Sequence, residues 1–390
     1  MLAIKGAKVF AAEGWLERAT VLLDRGKIVS VGAEVAVPEG VEVVDACGKY
    51  VTPGLIDAHT HLGILETEAG QGGRDHDEAT RPTTPEARAL DAAHHKDNAF
   101  KYALGGGVTA VGVSPGNTNV IGGQGMVMKT HGRRYEDMIL SERAFMKFSL
   151  GEPPKRHYGG KDQMPSTRLG IAAVIREALV EAQHDQALRC AGGSESPKRD
   201  LGKEALGHVL SGKMPCCFQA QRADDILTAL RIMREFSLTG SIVLATEGHL
   251  IPEDLARAGF PVIVGHALYG RMSQEQKNSS FETAGVLFGA GLKVAMTTSA
   301  PTPPVHHLAM VAGLACREGL PEEDAIRAIT INAAQILGVD DRVGSLEAGK
   351  DADLVIFDGH PLDLLCRAEA TYVSGCRVYE AGDDEANPVF

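Results

Sequence analysis

Pro53-Gly54-Leu55-Ile56-Asp57-Ala58-His59-Thr60-His61-Leu62-Gly63 is the stretch on which the fold turns. It extends an apolar run that begins at Tyr50-Val51. Pro53-Gly54 makes a sharp lead-in, and Gly63 opens a polar, Gly-containing loop. Side chains alternate along a strand, so Asp57, His59 and His61 share one face. Two imidazoles converging from one strand can bind a divalent metal as neutral nitrogen ligands. The same spacing also suits two strand histidines satisfied by hydrogen bonds.

Working outward, residues 51–335 alternate short apolar runs with helical patterns, the signature of a parallel sheet. Besides the His59 strand, seven segments read as strands: Val108–Val113, Gly125–Lys129, Phe145–Leu150, Pro215–Gln219, Ser241–Ala245, Pro261–Gly265 and Leu292–Met296. Between them, Ile226, Leu227, Leu230, Met233 and Phe236 recur at helical spacing, and Thr167–Leu179 and Pro321–Leu337 read as further helices. Eight strands with intervening helices predict an α/β protein of the (β/α)8 TIM-barrel type, with its chemistry at the C-terminal strand ends. The connections 64–86 and 184–204 are long and polar, which makes them candidate lids or active-site walls.

Both ends of the chain have a different, β-rich texture. Residues 20–31 form two apolar runs around a Gly-containing turn, a hairpin signal. Short strands recur after residue 343, at Asp353–Phe357 and Ala370–Tyr379. The expected organisation is therefore a composite β-sandwich from residues 1–51 and 343–390, around a barrel spanning 52–342.

The net charge of −12 argues against nucleic acid or an acidic membrane surface as partner. No apolar run reaches the roughly 18 residues that span a bilayer, and the N-terminus lacks the apolar stretch of a signal peptide. Seven cysteines without a Cys-x-x-Cys pair read as reduced thiols of a cytoplasmic protein. Cys216-Cys217 would face opposite sides of a strand. There is no Gly-x-Ser-x-Gly to support serine-type catalysis.

The opening stretch resembles the first barrel strand of the amidohydrolase superfamily, metal-dependent hydrolases of C–N bonds, and is closest to its imidazolonepropionase-related branch. Asn117–Gln124, Gly151–Arg156, Arg222–Ile226, Thr246–His249 and the tail Gly344-Ser345-Leu346-Glu347-Ala348-Gly349-Lys350-Asp351-Ala352-Asp353 carry the same resemblance, over almost the whole chain. It implies a metal held by His-x-His on the first strand, a His on each of the fifth and sixth, and an Asp on the eighth. Only the first strand agrees. The family's fifth-strand histidines fall on Gln219 and Gln221, its sixth-strand His on Leu244 and its eighth-strand Asp on Ser299. Gln is a poor substitute for imidazole at zinc, Leu cannot ligate, and Ser lacks the charge for proton transfer.

Candidate metal ligands are thus His59 and His61, with His266 or Lys147 as replacements; some members of the superfamily carry a metal-bridging carboxylated lysine on the fourth strand. Asn119, Gln124, Arg222, Glu247 and His249 are the candidate ligand-binding residues. The alternatives for them are a tight βα loop at Asn117–Gln124 and an ion-paired helix start at Arg222. Two functions follow. One is a hydrolase of cyclic amide, amidine or N-acyl substrates with a rebuilt metal site. The other, favoured by Gln219, Leu244 and Ser299, is a relative with catalysis reduced or lost that binds a small molecule or supports an active paralogue. The cofactor expectation is a divalent metal, zinc first, or none. The expected partners are a small-molecule ligand and a homo-oligomer or a hetero-oligomer with that paralogue.

Overall fold

The structure, a computed structural model, describes residues 1–191, 198–265, 267–268 and 273–382. The N-terminal segment supplies β1 (Leu2–Ala11), β2 (Gly14–Asp24), β3 (Lys27–Gly32), β4 (Glu42–Asp45) and β5 (Tyr50–Pro53). The barrel strands are β6 (Leu55–Thr60), β7 (Val108–Val113), β8 (Ile121–Lys129), β9 (Ile139–Ser149), β10 (Cys216–Ala220), β11 (Gly240–Leu244), β12 (Val262–Gly265) and β13 (Val294–Thr297). The C-terminal segment adds β14 (Leu354–Phe357), β15 (Ala368–Val373) and β16 (Cys376–Glu380).

Strands from both termini do join, but as one continuous 8-stranded sheet in the order β16-β15-β14-β5-β1-β2-β3, with β4 also on β1. The expectation is a small β-sandwich from both termini; the hydrogen bonding joins them into one sheet. The reason lies in the pairing: β5 is hydrogen-bonded to β1 on one side and to β14 on the other, so the two terminal sets share a strand. The predicted hairpin turns at Arg25-Gly26, whose φ values of 47° and 77° suit the tight primed turn that right-twisted strands favour.

β6 to β13 form the second 8-stranded sheet, in sequence order. It is a mixed sheet, which corrects the expected all-parallel (β/α)8 arrangement. β8 runs antiparallel to both β7 and β9. Parallel neighbours need a crossover of a dozen or more residues. The links 114–120 and 130–138 are too short for one, so the chain turns back instead. Closure between β13 and β6 rests on bonds from residues around them. Thr297 Oγ1 lies 2.5 Å from both Asp57 Oδ1 and the His59 carbonyl, sharing its one proton between them, and His61 N–H donates to the Ala300 carbonyl at 2.9 Å.

The strand faces follow the expected alternation. Phe148 and Phe218 stack at 4.5 Å on the outer face. Phe145, Cys217, Val243, Ile263 and Ala295 pack together within the barrel, while Cys216 belongs to the outer cluster. At the junction of the two sheets a Cβ on Gly54 would approach Thr109 Oγ1 to 2.0 Å, so β5 can turn directly into β6 only with glycine there.

Two helical expectations change. The helix read at Thr167–Leu179 runs from Arg168 to Ala191, and another covers Leu201–Leu210, so much of the presumed loop 184–204 is helical; residues 192–197 lie outside the described set. Pro321–Leu337 is two helices, Glu322–Ala328 and Ile331–Leu337, parted at Thr330, whose φ of −138° and ψ of −101° are non-helical. Among the described residues no helix is long and apolar enough to cross a membrane.

Candidate functional site at the barrel mouth

The site assembles from β6 outward. Asp57 is fully buried and accepts from Thr297 Oγ1, from Thr298 N at 3.0 Å and Oγ1 at 2.5 Å, and from His59 N at 3.3 Å. Burial pushes its carboxyl up to about 6 against these hydrogen bonds. His61 Nδ1 donates to the Ser114 carbonyl at 2.7 Å. That bond places the proton on Nδ1 and leaves Nε2 as a base, the tautomer a metal ligand would need. Burial first, and then the Lys147 charge, push this imidazole down to about 3, so it is neutral across the physiological range.

Lys147 comes from β9, 0% exposed, and its Nζ donates to His59 Nε2 at 2.7 Å. Burial pushes the amine down to about 8, partly offset by Cys217 and Asp77. The ordinary alternative for such a lysine is a carboxylate partner, yet the bond here goes to an imidazole. The ammonium thus approaches His59 from the direction in which a metal ion on Nε2 would lie.

Beside this pair, two buried polar side chains, Gln219 and Ser149, are unsatisfied among the described residues. Gln219 is directly opposite Ser149 in the β10–β9 register, and Cys217 opposite Lys147, which puts Gln219 diagonal to Lys147 on the inner face. Among the described residues neither amide atom of Gln219 nor the Ser149 hydroxyl has a hydrogen-bond partner. Buried amides are almost always paired, so three orphaned atoms at one level of the barrel mark where water or a polar ligand belongs. Leu244 instead joins the apolar interior. Leu244, Ala245 and Ser299 have φ of 72°, 43° and 53°. Such left-handed conformations in non-glycine residues cluster at sites that re-aim the chain, and here they sit at the ends of β11 and β13.

The long connection 64–86 forms a wall, as expected, and adds residues that the strand pattern did not single out. His76 lies 5.8 Å from the His61 ring, centroid to centroid, and its Nε2 is 3.3 Å from Asp77 Oδ2. Asp77 also accepts from Thr118 N and Oγ1 at 3.0 and 2.7 Å. The adjacent His-Asp pair in a polar loop was the only available signal, and nothing in its spacing ties it to β6. Asn119 and Gln124, read as ligand-binding, hold this wall in place. Asn119 Nδ2 donates to the Glu78 carbonyl and to Thr84 Oγ1, its Oδ1 accepts from Tyr158, and Gln124 Nε2 donates to the Pro85 carbonyl.

The remaining candidates lie around the rim in pairs. Arg222 forks onto Asp224 at 2.9 and 3.0 Å, the ion-paired helix start. Glu247 accepts from Ala223 N and Asn278 Nδ2, both at 2.8 Å. His249 Nδ1 is 2.9 Å from Thr283 Oγ1. His266 lies outside the described residues. A cavity of about 210 Å³ opens beside β6, lined by Leu62, Leu65, Tyr102, Ala300 and Pro301.

Does this donor set fit a metal? A catalytic zinc site takes three protein ligands and an open position. His61 Nε2 is suitably poised, but Lys147 engages Nε2 of His59, and Gln219, Leu244 and Ser299 supply no imidazole or carboxylate. Among the described residues no three His, Cys, Asp or Glu side chains come together in a metal-binding group. Among the described residues, the donors in place do not make up a set for a tightly held divalent ion.

The ionisation of Asp57 has a measurable consequence. A carboxyl raised from 3.8 to about 6 ionises more readily in the unfolded chain, so its stabilisation is complete below pH 3.8 and fades as the pH rises through 6. The difference is about 3 kcal/mol. Asp57→Asn should abolish that part of the slope in urea midpoints measured between pH 4 and 7. An unchanged slope would assign the titration elsewhere.

The Amidohydrolase family model matches residues 271–379. An amidohydrolase crystal structure from Thermotoga maritima superposes with a TM-score of 0.93 at 39% identity, covering 97% of this chain and all of that one. Amidohydrolase tasK of Hapsidospora irregularis is 29% identical over 92% of this chain, which spans only 40% of that protein's length. An imidazolonepropionase of Mesorhizobium japonicum is 26% identical, over 92% of this chain and 90% of its own.

Proposed function

From the premise that this chain belongs to the amidohydrolase superfamily, in its imidazolonepropionase-related branch, we propose that it binds a small C–N compound while hydrolysis by metal-bound hydroxide is reduced or lost. The ligand class is that of cyclic amides, amidines or N-acyl compounds. One observation carries the reading: the Lys147 ammonium is bonded to His59 Nε2, with Gln219 beside it in place of an imidazole. A fixed cation and an unpaired amide are donors for a carbonyl oxygen, and the Gln219 oxygen can accept an N–H from the same ligand. Asp57, engaged by two threonines, keeps β6 and β13 together rather than handling a proton. The partners on this reading are the small molecule and, in an assembly, copies of the chain or an active paralogue.

Elemental analysis of purified, dialysed protein tests it. We expect well below one zinc, manganese or iron per chain. About one tightly held ion per chain, lost on His59→Ala, would instead support a rebuilt centre on His59 and His61 with Lys147 or His266. The His61 tautomer is the feature that favours that second reading.

A further inference from the structure

Beside the mouth lies a second concavity, a cleft of about 550 Å³ between the start of the helix Glu152–Gly159 and the segment around Glu275. In a chain of net charge −12 its wall gathers four cations, Lys155, Arg156, Arg168 and Arg222, against two carboxylates, Glu152 and Glu275.

The commitments of these groups differ sharply. Glu275 is 1% exposed and already used three times: it accepts from Glu152 N at 2.6 Å, from Arg168 Nη2 at 2.7 Å and from Gln221 Nε2 at 3.4 Å. The N-terminus of the helix is therefore occupied by an internal carboxylate. Arg168 also grips both oxygens of Asp225 at 3.0 Å, and Arg222 is forked onto Asp224. Two cations are left over. The Lys155 ammonium has no hydrogen bond or ion pair among the described residues. Arg156 has only a 3.6 Å approach to Glu152, beyond hydrogen-bonding distance. The two are consecutive on one helix and both line the cleft, so their charges reinforce each other, and the only carboxylate near Arg156 among the described residues is the loosely paired Glu152.

We propose that this cleft binds a small oxyanion, a phosphate or carboxylate group, held by Arg156 and Lys155 with Arg222 flanking. The Arg156 guanidinium supplies a planar fork for two oxygens and Lys155 a movable point charge. Arg168 and Glu275 form the floor: their mutual bonds fix the helix start and keep the internal carboxylate from competing for the free cations. Gln221, which bonds both Glu275 and Thr246, ties this floor to the end of β10, two residues beyond Gln219.

Calorimetric titration of the full chain at low ionic strength, with sodium phosphate in one arm and sodium succinate in the other, tests the proposal. We expect saturable 1:1 binding of at least one of them, with the pair of arms reporting which oxyanion the cleft takes. The double substitution Lys155→Ala, Arg156→Ala removes two exposed side chains, so the fold should stand, as its thermal transition will report. It should weaken that binding by about tenfold or more, whereas Arg257→Ala, an exposed cation outside the cleft, should not. No saturable heat up to about 10 mM in either arm, or a loss smaller than about tenfold in the double variant, overturns it.

Discussion

Replacing Lys129 with methionine should destabilise the protein by about 3–5 kcal/mol, the range for removing one partner of a buried ion pair. Lys129 ends β8, is 2% exposed, and reaches the terminal sheet. Its Nζ lies 2.9 Å from Asp351 Oδ2, Asp353 Oδ1 and Ser374 Oγ. Asp353 is fully buried, and burial raises its carboxyl even with the lysine present. Asp351 is held at about 2 because Lys27, Lys129 and Arg342 outweigh the effect of burial. Without Lys129, Asp353 loses its cation in a site water cannot reach. Denaturant unfolding of Lys129→Met against wild type measures the loss. A change below about 1 kcal/mol would mean that Lys27 and Arg342 carry the junction alone. This is the structural use of the Asp351-Ala352-Asp353 tail: it fastens the closing strands to the one barrel strand that points its C-terminal end toward them.

Lys147→Met should move stability the other way. The lysine is fully buried, and the fall of its amine from 10.5 to about 8 corresponds to roughly 3 kcal/mol of desolvation cost. Because the folded-state value is lowered, the unfolded chain takes up the proton first as the pH falls. The cost therefore develops from pH 10.5 downward and is complete below 8, so it is present in full at pH 7. Methionine matches the length of the side chain and carries no charge, so the variant should be more stable by about 1–3 kcal/mol at pH 7, with the gain shrinking above pH 9. Ligand binding at the mouth should be lost in the same variant, the usual exchange of stability for function at a site. A less stable Lys147→Met protein would show that the ammonium serves the fold rather than a ligand.

Much of the barrel was legible because its signals are local. Each of the eight strands lies within a few residues of an apolar run, and the first is bounded by Pro53-Gly54 and Gly63 as the turn chemistry requires. The reversal of β8 was also within reach. Eleven residues between Val113 and Gly125 leave no room for a helical crossover, whatever the family resemblance implies. The side-chain types at Gln219, Leu244 and Ser299 were equally open to reading, since none of them is an imidazole or a carboxylate.

Contacts between distant segments were not legible. No periodicity states that Lys147 will donate to His59, 88 residues away, or that Lys129 will meet Asp351 and Asp353 beneath the barrel. Nor does a local pattern say that His76 will lie against His61, or that Glu275 will sit at the start of Glu152–Gly159 and leave Lys155 and Arg156 without a hydrogen-bonded carboxylate. By itself the sequence determined the elements, their order and which side-chain types stand at each strand end, because backbone preference and side-chain type act over a few residues. Tertiary structure alone decided which charges are buried together, because closing the barrel sets the distances and excludes the water on which every pairing energy here depends.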